Sequence, residues 1–567
     1  MLSRMLQLNL SYFMIFFKKS IIGVCNCRKS CIIEREAIQR RTMDMGIYLN
    51  PGNDAFRLYL NDDIYIDKSC LIDFVNSKID KSKRYICVSR PRRFGKSMAA
   101  NMLAAYYCKN CDSEQMFGNL KIAGKASYRQ HLNQYDVIFL NVQQFLRKAG
   151  NIEQLVHYME ERVLAEIRTA YKEFVKPEEH SLPDALSSIY AGTDPHNGFV
   201  FIVDEWDCVF REAKDNIPAQ KAYLDFLLDL FKDRTYVKVA YMTGILPIKK
   251  YGTHSALNIF DEFSMTNPDI LAEYVGFTEK EVIGLCDKYQ KNFAEVQRWY
   301  DGYRLGNNLH IYNPKSVVDS MLSLRMKSFW TSTETYEALQ VYIDINMDGL
   351  KEAIVTMLGG NSVVIDTGTF QNDMTSFKSK DDILTLLVHL GYLAYDEFSE
   401  SVYIPNEEVR GEFIRAVKNG RRTELIKVIE RSDQLLKATL RMDCKEVGRL
   451  IEDAHNAVTS PNFYNNEQAL RSVIKFAYLS CVDEFVEIQE LPSGIGYADV
   501  VYLPRKGSDK PAIVIEMKWN KSAEGAIAQI KGNKYPQVLE NYGGDILLVG
   551  INYDSKNKEH ECVIEKY

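Results

Sequence analysis

Residues 85–104 read Tyr85-Ile-Cys-Val-Ser89-Arg90-Pro-Arg-Arg93-Phe-Gly95-Lys96-Ser97-Met-Ala-Ala-Asn-Met-Leu-Ala104. Tyr85 to Ser89 is a short apolar run rich in strand formers. From Ser97 onward Met98, Met102, Leu103 and Ala105 recur at helical spacing. A strand is thus predicted to hand over to a helix through the turn that ends in Gly95-Lys96-Ser97, the setting a phosphate-binding loop requires. Gly95 lets backbone N–H groups turn toward an anion at the helix N-terminus. Lys96 would bring charge to the β- and γ-phosphates, and the Ser97 hydroxyl would ligate Mg²⁺. Arg93 stands in the same turn as a further phosphate contact. Arg90 occupies the place of the first Gly of GxxxxGK[ST], and a bare Gly-Lys-Ser/Thr arises by chance about 0.3 times in a chain this long. The neighbouring segments have to decide.

They agree with the loop. Phe199 to Val203 is an uninterrupted apolar run, predicted as a buried strand that ends in Asp204 and Glu205. A carboxylate at such a tip can hold the Mg²⁺ shell, and the next can activate an attacking water. Val237 to Met242 is a third strand, ending in Thr243-Gly244, whose polar tip would sit beside a γ-phosphate. Val137 to Leu140 is a fourth, ending at Asn141. Strands alternating with helical stretches predict a doubly wound parallel sheet of the P-loop NTPase type, with its ligand at the carboxyl ends.

A second constellation lies near the C-terminus. Val500 to Leu503 and Ala512 to Ile515 read as a hairpin joined by a Lys/Gly/Ser/Asp turn. Asp499 precedes the first strand. Glu516 and Lys518 follow the second, two residues apart and so on one face. Asp499 and Glu516 could share Mg²⁺ or Mn²⁺ while Lys518 steadies a water or a scissile phosphate. Glu467 could add a carboxylate from a preceding amphipathic helix with Leu470, Val473, Ile474 and Ala477 inward, and Gln529 points to the same neighbourhood from a following helix. Glu-x-Lys alone is weak, and the bland alternative is a salt bridge at a sheet edge.

Composition sets the outer limits. The chain has 567 residues, 46% hydrophobic and 26% charged, with 34 Tyr and 27 Phe, so disorder, collagen and coiled coil are excluded as its main character. Two to four domains are expected at this length. Formal net charge is −6; residues 1–42 carry eight Lys/Arg against two Glu, which leaves −12 for the rest. A general basic coat for nucleic acid is therefore absent. From Pro461 to Tyr567 there are 12 Lys/Arg against 15 Asp/Glu, unfavourable for gripping DNA. No run of about 18 apolar residues predicts a membrane-spanning helix. The twelve cysteines are scattered and suit reduced thiols in the cytoplasm. Cys108 and Cys111 form a single CxxC with no second pair, which argues against structural zinc. The segment 1–44 is basic and apolar without a cleavage site, and is expected to be an extension upstream of the true start, with a peripheral membrane anchor as the alternative.

Between the two constellations, Thr278 and Glu281 form a capping box that opens a helix. Trp299-Tyr-Asp-Gly-Tyr303 and Ile311-Tyr-Asn-Pro314 are aromatic and turn-rich and read mainly as packing. Residues 380–416 predict helix, hairpin and helix, a winged-helix-like arrangement.

The motifs SRPRRFGKS (Ser89 to Ser97), VDE (Val203 to Glu205), TGILPI (Thr243 to Ile248), WYDGY (Trp299 to Tyr303) and YNP (Tyr312 to Pro314) resemble the bacterial AAA-ATPase-like family. GYAD with IEMK resembles the C-terminal PD-(D/E)XK nuclease-superfamily domain that many members carry. The resemblance runs from about Met45 to the C-terminus. It implies an AAA-ATPase-like P-loop domain over 45–275, a helical or winged-helix-like lid over 276–440 and a restriction-endonuclease-like α/β domain over 441–567. It implies that Lys96 and Ser97 bind nucleotide phosphate and Mg²⁺, with Asp204 and Glu205 as the acidic pair. Likewise it implies metal binding by Asp499 and Glu516 with Lys518 catalytic. Arg90 at the first loop position is usual for the family. ATP and Mg²⁺ are then the expected cofactors and DNA or RNA the expected partner, with a homo-oligomer left open. Two functions follow: an ATP-driven metal-dependent nuclease or nucleic-acid transaction protein, or a nucleotide-gated switch whose nuclease-like domain does not cut.

Overall fold

In a computed structural model the chain is described over residues 46–567, except 194–197, 249–256, 331–335, 346, 372–373, 375–376, 420–422, 458–466, 480, 494–495, 505–507, 534–538 and 540–543. The expected extension, with Cys25, Cys27 and Cys31, lies outside the described residues. These residues group into two compact units. The first takes the chain up to Val88, Gly95–Gly244 and the stretch ending at Glu262; the second takes Ser89–Phe94, the segment that starts at Ile245, and Phe263–Tyr567.

The first unit is organised by strands β1 (Tyr85–Ser89), β2 (Asp136–Asn141), β3 (Phe199–Asp204), β4 (Val237–Gly244) and β5 (Asp261–Phe263), in the spatial order β2-β3-β4-β1-β5. Every residue of β1, β3 and β4 is buried, which is why these strands are apolar throughout rather than alternating. β2, β3 and β4 run parallel. The register sets Asn141 beside Asp204 and Val203 beside Met242, so the polar tips of three strands finish level with one another. The helix Lys96–Tyr107 follows β1 and packs on this sheet, burying Ala99, Met102, Leu103 and Tyr106. The α/β doubly wound parallel sheet expected from the sequence is the one that forms.

The second unit has three sheets. β6 (Phe277–Thr278), β7 (Tyr303–Leu305) and β8 (Leu309–Tyr312) form the first, with β8 in the middle and both neighbours antiparallel to it. Thr278 and Glu281 close the predicted capping box on the helix Glu279–Tyr289. Next come β9 (Val363–Val364), β10 (Ala394–Asp396) and β11 (Ser401–Tyr403), in the order β10-β11-β9. The helices Lys380–Leu390 and Glu407–Asn419 flank the β10–β11 hairpin, giving the expected helix, hairpin, helix succession.

The third sheet, β12 (Phe485–Ser493), β13 (Gly496–Pro504), β14 (Ala512–Trp519), β15 (Ile546–Asp554) and β16 (Glu559–Lys566), is mixed, with β14 and β15 parallel and the remaining pairs antiparallel. Ile513, Ile515 and Met517 point to a core shared with Leu435, Leu450, Leu470 and Ile474 from the preceding helices. Val514 and Leu548 point the other way, to Ile527 and Ile530 of the helix Ala523–Gly532. Period two therefore sends Glu516 and Lys518 to the face of that second helix. Among the described residues no helix is long and apolar enough to cross a membrane.

Candidate functional site

The turn at the head of the helix Lys96–Tyr107 is left-handed: Arg93 has φ 69° and Gly95 φ 91°. A Cβ at Gly95 would meet nothing closer than Met98 at 4.0 Å, so its backbone angle, and not crowding, is what requires glycine. Arg93 is exposed. Arg90 is fully buried, and its Nη1 donates to the carbonyls of Ser89 at 2.9 Å, Phe263 at 2.9 Å and Ser264 at 3.0 Å. The residue that replaces the usual first glycine thus pins the loop by backbone carbonyls, a role its sequence position did not reveal. Phe94, also buried, stands edge-on to Tyr303 with ring centroids 5.4 Å apart.

In the first unit Lys96 is 5% exposed. Burial pulls its ammonium pKa down, and Glu205, Asp207 and Asp204 pull it back up. Asp204 is 1% exposed and takes two neutral donors, Thr243 Oγ1 at 2.7 Å and Asn141 Nδ2 at 3.1 Å. The tips of β2, β3 and β4 therefore converge on one carboxylate. Glu205 has φ 56°, an uncommon angle for a side-chain-bearing residue, and its carboxyl pKa is raised by burial against the pull of Lys96. Arg211, from the short helix Cys208–Glu212, pairs with Glu205 and puts its Nε 3.0 Å from Asp207 Oδ2. Lys96, Asp204, Glu205 and Thr243, all named from the sequence, thus meet. Asp207 and Arg211 complete the cluster; they were missed because an acid three residues past a strand tip, and an Arg one turn on, look like ordinary loop charge.

The donor set at this site suits a divalent cation. The two side-chain hydrogen bonds of Asp204 come from neutral groups, Thr243 and Asn141, and Ser97 offers a half-buried hydroxyl at the start of the helix.

In the second unit Val500 faces Ile515 in the β13–β14 register, which brings Asp499 level with Glu516. Asp499, Glu516 and Lys518 are 8%, 2% and 8% exposed. Lys518 Nζ lies 3.2 Å from Glu516 Oε1, and Gln529 donates to the same oxygen. Glu516 Oε2 is buried and has no hydrogen-bond partner among the described residues. Burial, then the Asp499 charge, pushes the Glu516 carboxyl up to about 7, with Lys518 opposing. Asp499 Oδ2 accepts the Met517 N–H at 2.8 Å, and its Oδ1 pairs with Arg471. The sequence-named trio and Gln529 are brought together; Arg471 is the addition, on the helix Glu467–Ala477. The Glu467 side chain lies outside the described residues. An orphaned buried carboxylate oxygen beside a second acid is what a divalent cation would satisfy.

Comparison with known proteins follows the same division. Residues 52–253 match the family model AAA-ATPase_like, a predicted AAA-ATPase, and residues 465–562 match the PD-(D/E)XK nuclease superfamily. The chain joins an AAA-ATPase-like region to a PD-(D/E)XK nuclease-superfamily region. An uncharacterized protein in the vnfD 5′ region of Azotobacter chroococcum mcd 1 is 23% identical over 315 residues, 53% of this chain and 55% of that protein. The chain thus spans about half the length of this curated relative. Among solved structures, the Walker-type ATPase paby2304 of Pyrococcus abyssi aligns at TM-score 0.34 and 9% identity, covering 61% of this chain and 94% of that one. The Aeropyrum pernix ORC2 protein, solved as ADPNP–ADP complexes, aligns at TM-score 0.23 and 10% identity over 63% and 97%.

Proposed function

We propose that the AAA-ATPase-like region binds and hydrolyses ATP, and that the nuclease-like region is a metal-dependent nuclease acting on nucleic acid in a transaction the ATPase drives. Supporting this most strongly is Lys96, buried at a left-handed Gly95 helix start and held electrostatically by Asp204, Glu205 and Asp207. A buried ammonium with such company is set to receive a polyanion.

In this reading Lys96 neutralises phosphate charge. Ser97 and Asp204 would hold Mg²⁺, which would supply charge neutralisation to the phosphates. Asn141 and Thr243 keep Asp204 in place, and Thr243 would report on the γ-phosphate. Glu205, whose carboxyl is shifted upward, accepts the proton of the attacking water, and Arg211 holds it until then. In the C-terminal region Asp499 and Glu516 would hold a divalent cation, which would supply charge to a scissile phosphate, while Lys518 would position the water.

The test is ATP turnover with and without plasmid, single-stranded DNA and RNA. Lys96→Ala is expected to abolish ATP binding measured by calorimetry; unchanged affinity sinks the ATP site. Glu205→Gln is expected to bind ATP but turn over at least about 100-fold more slowly; equal turnover removes Glu205 as the base. A second reading has support of its own: Arg471 and the Met517 N–H already engage both oxygens of Asp499. It makes the protein a nucleotide-gated switch that does not cut. Under it, Mg²⁺ or Mn²⁺ leaves every nucleic acid intact and Glu516→Ala changes nothing.

A further inference from the structure

We propose that Glu279, Asp301 and His310 form a binding site for a divalent transition-metal ion, separate from both sites above. The three come from different elements of the second unit. Glu279 is the first residue of the helix Glu279–Tyr289, Asp301 follows the helix Phe293–Tyr300, and His310 lies on the central strand β8. Each offers one ligand atom, and these atoms all lie within 4.8 Å of one another.

Two buried atoms point to a missing occupant. Asp301 is 8% exposed; its Oδ2 lies 2.7 Å from His310 Nδ1, but its Oδ1 is buried and has no hydrogen-bond partner among the described residues. Tyr312 is independent of the cluster. It is fully buried, two residues beyond His310 and so on the same face of β8, and its hydroxyl also has no hydrogen-bond partner among the described residues. Polar atoms without partners are uncommon in protein interiors, and here a carboxylate oxygen of the cluster and a phenol on the same face of β8 as His310 both lack one among the described residues. Among the described residues Glu279 Oε1 takes a neutral donor, Gln297 Nε2 at 3.1 Å. Arg304, opposite His310 across the β7–β8 pair, is exposed and makes no ion pair with either acid among those described.

The backbone holds Asp301 in place before any ion arrives. The Asp301 carbonyl accepts Asn406 Nδ2 at 2.7 Å, and the Gly302 carbonyl accepts the Tyr403 hydroxyl at 2.8 Å. Gly302 has φ 114°, and a Cβ there would lie 2.0 Å from the Pro405 carbonyl oxygen, so no other residue fits the turn. One imidazole and two carboxylates suit Zn²⁺, Mn²⁺ or Co²⁺ better than Ca²⁺, which takes six to eight oxygens. Such an ion would clip two helices to β8.

The experiment uses the full chain carrying Asp499→Asn and Glu516→Gln, free of nucleotide and stripped with a chelator, so that neither other site contributes. Equilibrium dialysis against Zn²⁺, with Co²⁺ absorption as a second reading, is expected to give one ion per chain and visible bands from imidazole and carboxylate ligation. Adding His310→Gln is expected to weaken binding at least 10-fold and to change the Co²⁺ spectrum; Asp301→Asn is expected to do the same. No bound equivalent at 100 μM metal in the folded parent overturns the proposal, and this arm stands even where a cluster variant fails to fold. A full equivalent that survives His310→Gln, as an ion on the Cys108/Cys111 thiols would, overturns it too.

Discussion

Glu516 concentrates the chemistry of the C-terminal site in one carboxyl. It is 2% exposed, faces Asp499, and is pushed up to about 7 from an ordinary 4.5. A carboxyl raised in the folded state favours folding below its unfolded pKa, and that contribution is lost as pH rises between 4.5 and about 7. Glu516→Gln is therefore expected to raise thermal stability at pH 8 in metal-free buffer, by up to about 3 kcal/mol at 1.36 kcal/mol per unit. The gain should shrink toward zero near pH 4.5. Adding Mn²⁺ should stabilise the native chain and not the variant. A flat difference across this pH range would remove the burial argument. The residue was legible as a candidate from Ile-Val-Ile-Glu516-Met-Lys518; its orphaned oxygen and raised pKa were not, because both depend on what covers β14.

At the scale of elements, periodicity and turn chemistry carried furthest where a local rule closes on itself. The Thr278–Glu281 capping box needs four consecutive residues and formed as read. The β13–β14 hairpin formed with the face assignment that alternation demands. The Trp299–Tyr303 segment was less readable. Packing is what its aromatic residues do, with Trp299 and Tyr300 buried, but Asp301, which follows them, meets a strand residue nine positions on. Gly302 makes that turn. Gly302→Ala forces a strained φ against the Pro405 carbonyl and is expected to cost about 2–3 kcal/mol, seen as a lower melting temperature. A melt that matches the native chain would mean the turn relaxes freely.

For the whole molecule, two compact units predict unfolding that is not two-state. Calorimetry is expected to resolve at least two transitions. Mg-ATP at about 100 times its dissociation constant should stabilise the one containing Lys96 by about 2.7 kcal/mol, or roughly 5–10 °C. Lys96→Ala should abolish that shift. One transition that moves as a whole with ATP would count against separate units. The division also cuts through the phosphate loop: Ser89–Phe94 belongs to the second unit and Gly95 onward to the first. Nothing in the string from Ser89 to Ser97 announces this, since all nine residues read as one motif.

Read alone, the chain determined which of these segments form strands and which helices, that three strand tips carry Asn141, Asp204 and Thr243, and which residues alternate onto the Glu516 face. These follow from backbone sterics and side-chain period, which act over a few residues. Only the tertiary structure decided that Arg211 reaches Glu205, that Arg471 reaches Asp499 and that Arg90 turns inward to carbonyls more than 170 positions away. A charged side chain has no intrinsic partner: desolvation and Coulomb attraction select one only after folding has brought distant segments within a few ångströms.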